Sequence, residues 1–295
     1  MKECIQRGKK MKVLVTGVKG QLGYDVVKQL NKQNIDCLGV DIDDFDLTDA
    51  EQVEKGINQY NPDVIVHCAA FTAVDRAEED KELCHKVNVL GTRNIVNVAK
   101  KLNAKLIYIS TDYVFEGNGE NFYQPTDKKN PQSYYGLTKS LGEDEVTSTL
   151  TKYFIVRISW VFGINGNNFV KTMLRLGTDR EELNVVSDQI GSPTYTFDLA
   201  YLLVEMAKTE KYGIYHATNE GVCSWADFAK EIMLLGNRNC KINYITSDQY
   251  PQKAVRPKNS RMSKAKLTEN GFMLLPTWQD ALKRYINELK EANML

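Results

Sequence analysis

Two residues four positions apart, Tyr135 and Lys139, could perform acid–base chemistry in this chain of 295 residues. In a helix, this spacing places both side chains on one face. A lysine cation favours the phenolate form of a neighbouring tyrosine. We therefore expect Lys139 to lower the pKa of Tyr135 and let it exchange a proton with a substrate oxygen near neutral pH. The spacing alone is not specific, because Tyr24 and Lys28 share it.

Three regularly spaced glycines form a second motif, which could bind a ligand. Gly17, Gly20 and Gly23 follow the apolar run 13–16 and open a stretch with helical periodicity, in which Gln21 and Leu22 belong to the same motif. Glycines at this spacing permit a tight turn and a close backbone approach to a pyrophosphate. The helix N-terminus adds N–H groups and a positive dipole. The motif predicts a dinucleotide site.

An acid after the second apolar run bears on the choice of cofactor. Asp41 stands where a carboxylate suits the two ribose hydroxyls of NAD and repels a 2′-phosphate. NADH is therefore expected to be favoured over NADPH, although NADPH stays open because the nearby Lys19 offsets part of the repulsion. Asp46 and Leu47 are predicted to lie beside the adenine.

Position distinguishes the two tyrosine–lysine pairs. Tyr24 lies in the helix after the glycine loop, whereas Tyr135 follows the fourth apolar run, which ends in Ser110-Thr111-Asp112-Tyr113-Val114-Phe115. Ligands of open α/β sheets bind beyond the carboxyl ends of the strands. A hydroxyl there can donate to a carbonyl oxygen that gains negative charge during reduction. We therefore predict that Thr111, Tyr135 and Lys139 form the catalytic group.

The elements that must position these residues alternate regularly in the first half of the chain. Short, continuously apolar runs alternate with longer amphipathic stretches, and these runs lie at 13–15, 37–40, 64–66, 106–109 and 154–156. Such runs are typical of parallel strands covered by helices on both faces. We therefore predict an α/β fold with a doubly wound parallel sheet, the NAD(P)-binding Rossmann fold.

The pattern changes after Trp160. The sequence predicts strand and loop over 183–194, a helix over 196–207, a strand at 214–216 and a helix over 224–235. We interpret this half as a smaller mixed α/β substrate-binding lobe. The predicted division is a dinucleotide-binding domain over 11–158, joined by about 194–213, with the smaller lobe over 159–193 and 214–295. Residues 1–10 are read as an extension, expected to be disordered and given no function.

The composition excludes several classes of partner. Lys+Arg and Asp+Glu number 38 each, so no net field draws in nucleic acid or an anionic membrane. No apolar run approaches the ~20 residues that span a bilayer, and the first residues are not signal-like. The cysteines are scattered without a C-x-x-C pair, which favours buried thiols in a reducing compartment. We expect a cytoplasmic protein.

No cluster of residues predicts a metal site. His67, His85 and His216 are isolated, without metal-ligand spacing to the cysteines. The acid-rich stretch 41–46 lacks the glycine of a calcium loop, and Phe45 fills one of its ligand positions. We expect no catalytic metal, whereas a structural divalent ion stays open.

Taken together, these motifs resemble a known family. The glycine loop, Thr111 and the Tyr135/Lys139 pair occur in an order similar to that of the extended short-chain dehydrogenase/reductase superfamily. More narrowly, the chain resembles the dTDP-4-dehydrorhamnose reductases, from about Met11 to its C-terminal region. The segments that carry this resemblance are Gly-x-x-Gly-Gln-Leu-Gly, Ala70-x-Thr72-Ala73-Val74-Asp75, the run from Ser110 to Phe115, Trp160, Asn167-Asn168-Phe169 and Arg256-Pro257-x-Asn259-Ser260-Arg261.

The resemblance implies a reaction in which NAD(P)H gives hydride to C4 of dTDP-4-dehydro-L-rhamnose and yields dTDP-L-rhamnose. Tyr135 would protonate the forming oxygen, Thr111 would hydrogen-bond it, and Lys139 would hold the nicotinamide ribose. The cofactor would be flanked by Ala69, Ala70 and Thr72. The substrate would meet Thr111, Val74, Asp112, Tyr113, Trp160, Asn168 and, near the diphosphate, Arg256.

Other functions stay open at this point. Dehydratases of the superfamily commonly carry Glu where this chain has Tyr113, so elimination of water is disfavoured. A C4 epimerase uses the same Tyr and Lys, although the run from Thr111 to Phe115 favours a reductase. A non-catalytic NAD-binding regulatory subunit could keep the glycine loop, but the complete catalytic group favours an enzyme. The base, the sugar stereochemistry and the oligomeric state, a homodimer included, are not fixed.

Overall fold

The structure, a computed structural model, describes residues 10–295. Apart from Lys10, the predicted N-terminal extension lies outside the described residues. Within the described part the strands are, in chain order, β1 (Lys12–Thr16), β2 (Asp36–Val40), β3 (Val64–His67), β4 (Lys105–Thr111), β5 (Tyr153–Ile158), β6 (Val161–Phe162), β7 (Glu182–Val186), β8 (Ile190–Gly191), β9 (Thr194–Tyr195), β10 (Gly213–His216), β11 (Asn219–Glu220), β12 (Cys223–Ser224), β13 (Lys241–Ile245), β14 (Asn259–Ser260) and β15 (Leu275–Thr277).

The α-helices of the same part connect and cover these strands. They are α1 (Gln21–Lys32), α2 (Ala50–Tyr60), α3 (Val74–Glu79), α4 (Lys81–His85), α5 (Thr92–Leu102), α6 (Tyr134–Thr149), α7 (Phe169–Asp179), α8 (Thr196–Ala207), α9 (Trp225–Leu235), α10 (Ala265–Glu269) and α11 (Trp278–Glu291). A π-helical segment, Lys86–Gly91, joins α4 to α5, and a 3-10 turn, Asp112–Val114, follows β4. The helices predicted over 196–207 and 224–235 are confirmed as α8 and α9.

Six parallel strands form the central sheet, in the order β10-β5-β4-β3-β1-β2. Val13 of β1 pairs with Cys37 on one side and with Val64 on the other. The strand order reverses between β1 and β3, and open α/β sheets bind their ligands at such a reversal, beyond the carboxyl ends of the strands. The predicted doubly wound fold is confirmed.

Alternate side chains of each central strand enter two separate cores, one on each face of the sheet. Val13 and Val15 pack with residues of α1 and α8, whereas Leu14 packs with residues of α2 and α5. The side chains of Val13, Leu14 and Val15 are all fully buried. Burial on both faces explains why the strand sequences are apolar without interruption.

A third core, outside the central sheet, belongs to the smaller lobe. It joins α7, α9 and α11 to the parallel pair β7 and β13, around residues such as Phe228 and Tyr285. The predicted boundary at residue 213 needs a correction, because Gly213–His216 pairs with β5 as the edge strand of the central sheet. Tyr215 is buried in the core that covers this sheet. The apolar run at 214–216 is too short to predict which strand it pairs with. The smaller lobe therefore resumes only after residue 216.

The cysteines within residues 10–295 are free thiols: Cys37, Cys68, Cys84, Cys223 and Cys240. Burial raises the pKa of Cys68 to about 12, so this thiol stays protonated at neutral pH. No helix in that part of the chain is long and apolar enough to cross a membrane.

Candidate active site

The glycine loop connects β1 to α1 at the carboxyl edge of the sheet. Gly17 has a φ of +73°, and a Cβ built on it would lie 2.7 Å from the backbone of Ala69. A Cβ on Gly23 would lie 2.3 Å from the carbonyl oxygen of Gly17. The turn therefore requires glycine at both positions, and without side chains its backbone is accessible to a ligand.

The first turn of α1 lacks a side-chain cap. Its N-cap is Gly20, whose own N–H donates to the carbonyl oxygen of Gly17 at 3.0 Å. Because glycine cannot cap with a side chain, the N–H groups of the first turn are left for another acceptor. The positive end of the helix dipole adds to the attraction for an anion. This arrangement fits the pyrophosphate of a dinucleotide.

Asp41 is fixed beside the glycine loop, directly after β2. One carboxylate oxygen accepts the backbone N–H of Lys19 at 2.8 Å, and the other accepts the N–H of Ile42 at 2.9 Å. The Lys19 ammonium forms an exposed ion pair with Asp43 instead. The negative charge of Asp41 is therefore not directly paired with the neighbouring cation.

A cavity of about 660 Å³ lies in front of this loop, within the range of ligand pockets. Its wall contains every residue that the sequence analysis assigned to the cofactor: Gly17, Gly20, Gln21, Leu22, Gly23, Asp41, Asp46, Leu47, Ala69, Ala70, Thr72, Tyr135 and Lys139. Apolar residues that no motif indicated complete the wall, among them Val40, Val87, Ile109, Ile158 and Val161. Their contribution depends on packing between elements, which no local spacing reveals.

The three predicted catalytic residues line this same cavity. Thr111 ends β4, while Tyr135 and Lys139 lie on α6. A Cβ on Gly136 would lie 2.2 Å from the carbonyl oxygen of Tyr113, so this glycine lets α6 pack directly on the turn after β4. The close contact brings the first turn of α6 to the end of β4.

The pKa of Tyr135 is raised, whereas the sequence analysis expected Lys139 to lower it. Burial is the largest cause, since it disfavours the phenolate, and the charge of Asp112 adds to it. A hydrogen bond with Thr111 acts in the opposite direction. The Lys139 ammonium lies over the ring of Tyr108, 4.0 Å from its centroid. Tyr135 therefore keeps its proton at neutral pH and is suited to donate it.

Lys139 is a buried cation with an altered affinity for its proton. Burial lowers its pKa to about 7, and the charge of Glu143, one turn further along α6, counteracts this only in part. Lys139 thus changes its charge near neutral pH, where its ordinary pKa would leave it fully protonated.

Asp112 is a buried carboxylate at the boundary between two cavities. Its Oδ2 accepts from Ser260 Oγ at 2.5 Å, and its Oδ1 accepts from Thr111 Oγ1 at 2.8 Å. Burial raises the pKa of Asp112 to about 6, although both hydrogen bonds lower it. Because Ser260 belongs to β14, this carboxylate also ties the smaller lobe to the end of β4.

A second cavity, of about 740 Å³, adjoins the first and shares Asp112, Tyr113 and Trp160 with it. Trp160 has an uncommon positive φ of 51° and stacks on Trp225, with ring centroids 3.9 Å apart. Phe169 also packs on Trp225, with ring centroids 4.5 Å apart. Trp225 and Phe169 were not predicted as cavity residues, because they start separate helices and no spacing links them.

Two further residues assigned to the substrate also line these cavities. Val74 lies in the wall of the first cavity and Arg256 in that of the second. The Arg256 guanidinium is held by Asp75 Oδ2 at 2.5 Å, Tyr113 Oη at 3.0 Å and Gln252 Oε1 at 2.7 Å. It is thus an ordered cation at the cavity wall.

Asn168 lies behind the first cavity, on Gln21 of its wall, and its assignment to the substrate stays a prediction. Its amide nitrogen donates to Gln21 Oε1, the Gly163 carbonyl and Tyr285 Oη at 2.9–3.0 Å. Its amide oxygen caps α7 by accepting the N–H of Lys171. Asn168 therefore joins the smaller lobe to the start of α1, a role that only the tertiary structure reveals.

His67 is a structural residue, as predicted. Its ring nitrogens contact the hydroxyls of Thr16 and Thr92 at 2.8 and 3.3 Å. Burial lowers its pKa to about 3, so the ring stays neutral. Among residues 10–295 no group of three or more His, Cys, Asp or Glu is arranged to hold a metal ion. The expectation of no catalytic metal stays a prediction.

The parallel sheet, the glycine loop and a Thr–Tyr–Lys group in one cavity define a dinucleotide-dependent oxidoreductase of the extended short-chain dehydrogenase/reductase class. The family model described as the RmlD substrate binding domain matches residues 11–291. The dTDP-4-dehydrorhamnose reductase of Aggregatibacter actinomycetemcomitans is 40% identical over 287 residues, which cover 92% of this chain and 97% of that protein. The chain belongs to the dTDP-4-dehydrorhamnose reductase family.

Two solved structures are similar over nearly the whole chain. The dTDP-4-dehydrorhamnose reductase of Clostridium acetobutylicum has a TM-score of 0.93 and 42% identity, and covers 95% of this chain and 100% of its own. The dTDP-4-dehydrorhamnose reductase of Bacillus anthracis, solved in complex with NADP, has a TM-score of 0.92 and 42% identity, with coverages of 95% and 99%.

Proposed function

We propose that the chain reduces the C4 keto group of dTDP-4-dehydro-L-rhamnose to give dTDP-L-rhamnose, with NADH or NADPH as hydride donor. One observation carries the proposal: Thr111, Tyr135 and Lys139 share a cavity with the glycine loop, and this cavity meets a second one of similar size. The names of the relatives support the choice of sugar nucleotide, since they are themselves dTDP-4-dehydrorhamnose reductases.

Tyr135 is the proton donor in this proposal. The nicotinamide, when bound, supplies the hydride that reduces C4. Because its pKa is raised, Tyr135 keeps its proton until negative charge develops on the C4 oxygen, and then donates it. Thr111 turns its hydroxyl from Asp112 to the same oxygen. In its protonated form, Lys139 stabilises the phenolate left on Tyr135.

The cofactor is held mainly by backbone groups and one carboxylate. The uncapped start of α1 receives the pyrophosphate, and Asp41 accepts from the adenosine ribose hydroxyls. We propose that NADH is favoured because Asp41 repels a 2′-phosphate. NADPH is also accepted, since Lys19 can leave Asp43 to pair with that phosphate. The NADP complex of the Bacillus anthracis relative supports the second route.

The substrate spans the boundary between the two cavities. Its sugar lies beside Asp112, Tyr113 and Trp160, which both cavities share, so C4 can reach Tyr135. Its diphosphate meets the Arg256 guanidinium, and the base extends toward Trp225. The carboxylate of Asp112 accepts from sugar hydroxyls, a role suited to a group already surrounded by hydroxyl donors.

The proposal is tested by following oxidation of NADH, and of NADPH in parallel, with enzymatically generated dTDP-4-dehydro-L-rhamnose. We expect rapid oxidation with dTDP-L-rhamnose as product. Cofactor binding without oxidation, by protein shown to be folded, would contradict the proposal and direct attention to the regulatory-subunit alternative. Reversible interconversion of sugar nucleotides without net cofactor oxidation would instead identify an epimerase.

A further inference from the structure

We propose that Asp75 positions Arg256 for the diphosphate of the sugar nucleotide, an inference that rests on the proposed function. Asp75 lies in the first turn of α3, next to Val74 in the wall of the first cavity. Arg256 lies on the segment between β13 and β14 that lines the second cavity. The pair therefore crosses the cleft between the dinucleotide side and the smaller lobe.

A single carboxylate holds this segment at two points. Asp75 Oδ2 accepts from Arg256 Nη2 at 2.5 Å, and Asp75 Oδ1 accepts the backbone N–H of Ala254 at 3.0 Å. The other guanidinium nitrogens donate to Tyr113 Oη at 3.0 Å and Gln252 Oε1 at 2.7 Å. The backbone and the guanidinium are thus both fixed relative to α3. An amide at position 75 could accept only one of these two hydrogen bonds.

The positioning effect should outweigh repulsion between Asp75 and an anionic ligand. The Asp75 side chain is 44% exposed, so water and salt screen its charge. Recognition of a diphosphate by arginine depends on the direction of its N–H groups, which a mobile side chain would not preserve. Without Asp75, the Arg256 side chain would be mobile in the free protein. Binding a diphosphate would then cost the conformational entropy of ordering that side chain.

A second ion pair on the same two elements supplies a matched control. Glu79, at the end of α3, pairs with Lys253 of the same segment, and both side chains are more than half exposed. Neither residue lines the first or the second cavity. Glu79→Gln therefore removes the same charge from the same helix and breaks a contact with the same segment, but leaves Arg256 held.

The test compares binding of dTDP itself, by titration calorimetry with NADPH present, to wild type, Asp75→Asn and Glu79→Gln. We expect Asp75→Asn to weaken binding at least fivefold and Glu79→Gln to change it less than twofold. With the keto-sugar, Asp75→Asn should raise KM by a similar factor while kcat changes less than twofold. Unchanged or tighter binding by Asp75→Asn, or an equal loss in Glu79→Gln, would overturn the inference.

A double variant tests whether Asp75 acts through Arg256. In an Arg256→Ala background, Asp75→Asn should not weaken dTDP binding further, because the residue it positions is absent. A further loss would show that Asp75 acts independently, and would overturn the inference. Failure of the wild type to bind dTDP and to reduce the keto-sugar would be a different result, since it would refute the proposed function itself.

Discussion

At the scale of single residues, the site depends on groups whose affinity for protons is set by burial. Tyr135 is held protonated, Lys139 titrates near neutral pH, and Asp112 is a carboxylate with a raised pKa. A phenol that burial keeps protonated suits a reductase, which must deliver a proton to a new oxygen anion.

Replacing Tyr135 by Phe should slow turnover by about 10²–10⁴-fold, the range typical for loss of a general acid. The affinity for the cofactor should stay within a few-fold, because only one hydroxyl is removed. Tyr24→Phe is the matched control, since Tyr24 has the same spacing to a lysine but is 43% exposed on α1. Stopped-flow or steady-state cofactor oxidation measures both. Full activity of Tyr135→Phe would show that Tyr135 is not the proton donor.

Replacing Asp41 by Ala should lower kcat/KM with NADH relative to NADPH. The carboxylate that accepts from the ribose hydroxyls and repels a 2′-phosphate would be gone, while Lys19 would remain. The ratio of the two kcat/KM values is measured with the keto-sugar held saturating. An unchanged ratio, in a variant with the melting temperature of the wild type, would show that Asp41 does not select the cofactor.

Local motifs predicted most of these residues, and the exceptions have a physical reason. The glycine loop and Asp41 act through local backbone geometry at the ends of adjacent strands, so the sequence alone located them. The pKa of Tyr135 depends on burial between α6 and the sheet, which its spacing to Lys139 does not reveal. Likewise, the contacts of Asn168 and the stacking of Trp225 join segments far apart in the chain.

At the scale of elements, a buried ion pair holds together the three segments that carry the site. Glu143 of α6 accepts from Arg157 of β5 through two hydrogen bonds of 2.8 Å and from Ser110 of β4 at 2.5 Å. Burial alone would raise the pKa of Glu143, but Arg157, Lys129 and Ser110 together outweigh burial and lower the pKa. The pair therefore fixes α6, with Tyr135 and Lys139, against the end of β4.

Replacing Glu143 by Gln should reduce the free energy of unfolding by about 3–5 kcal/mol, because the buried Arg157 would lose its counter-charge. Glu145→Gln, two residues further on the same helix, breaks the partly exposed pair with Arg93 and should cost no more than about 1 kcal/mol. Denaturant unfolding measures both. Equal effects of the two variants would contradict a structural role for the buried pair.

The contact between α1 and α8 should make stability depend on pH. Asp25 is fully buried and accepts from Thr196 with one oxygen, whereas its other oxygen has no hydrogen-bond partner among residues 10–295. Burial raises its pKa to about 6, with the charge of Glu288 adding to it; the Thr196 hydrogen bond and Lys28 lower it. The protonated form is favoured in the fold. Its stabilising contribution is complete below about pH 4 and is lost as pH rises through about 6.

Replacing Asp25 by Asn should therefore raise the free energy of unfolding at pH 8, by up to about 3 kcal/mol, and give little gain below pH 4. Asp112 has a similar pKa and also makes stability depend on pH. Because Asp112 is present in both proteins, its contribution cancels when the free energy of unfolding of the wild type is subtracted from that of the variant. Denaturant unfolding at several pH values measures it. A difference that stays constant with pH would show that Asp25 does not titrate as inferred.

At the scale of the whole molecule, function follows from placing a mixed α/β lobe over one edge of a parallel sheet. Continuous apolar runs predicted that sheet, because burial on both faces leaves a strong signal in the sequence. The pairing of Gly213–His216 with β5 was not predictable, since a short strand at the edge of a sheet carries little pattern of its own. The second cavity likewise arises only where the lobe meets the sheet.

An isotope label follows the hydride transfer to C4. Deuterium is placed on the transferable position of NADH or NADPH, the cofactor is turned over with dTDP-4-dehydro-L-rhamnose, and the product is examined by NMR. We expect dTDP-L-rhamnose with deuterium at C4. A sugar nucleotide without deuterium at C4, or one with the opposite configuration at that carbon, would contradict the proposed function.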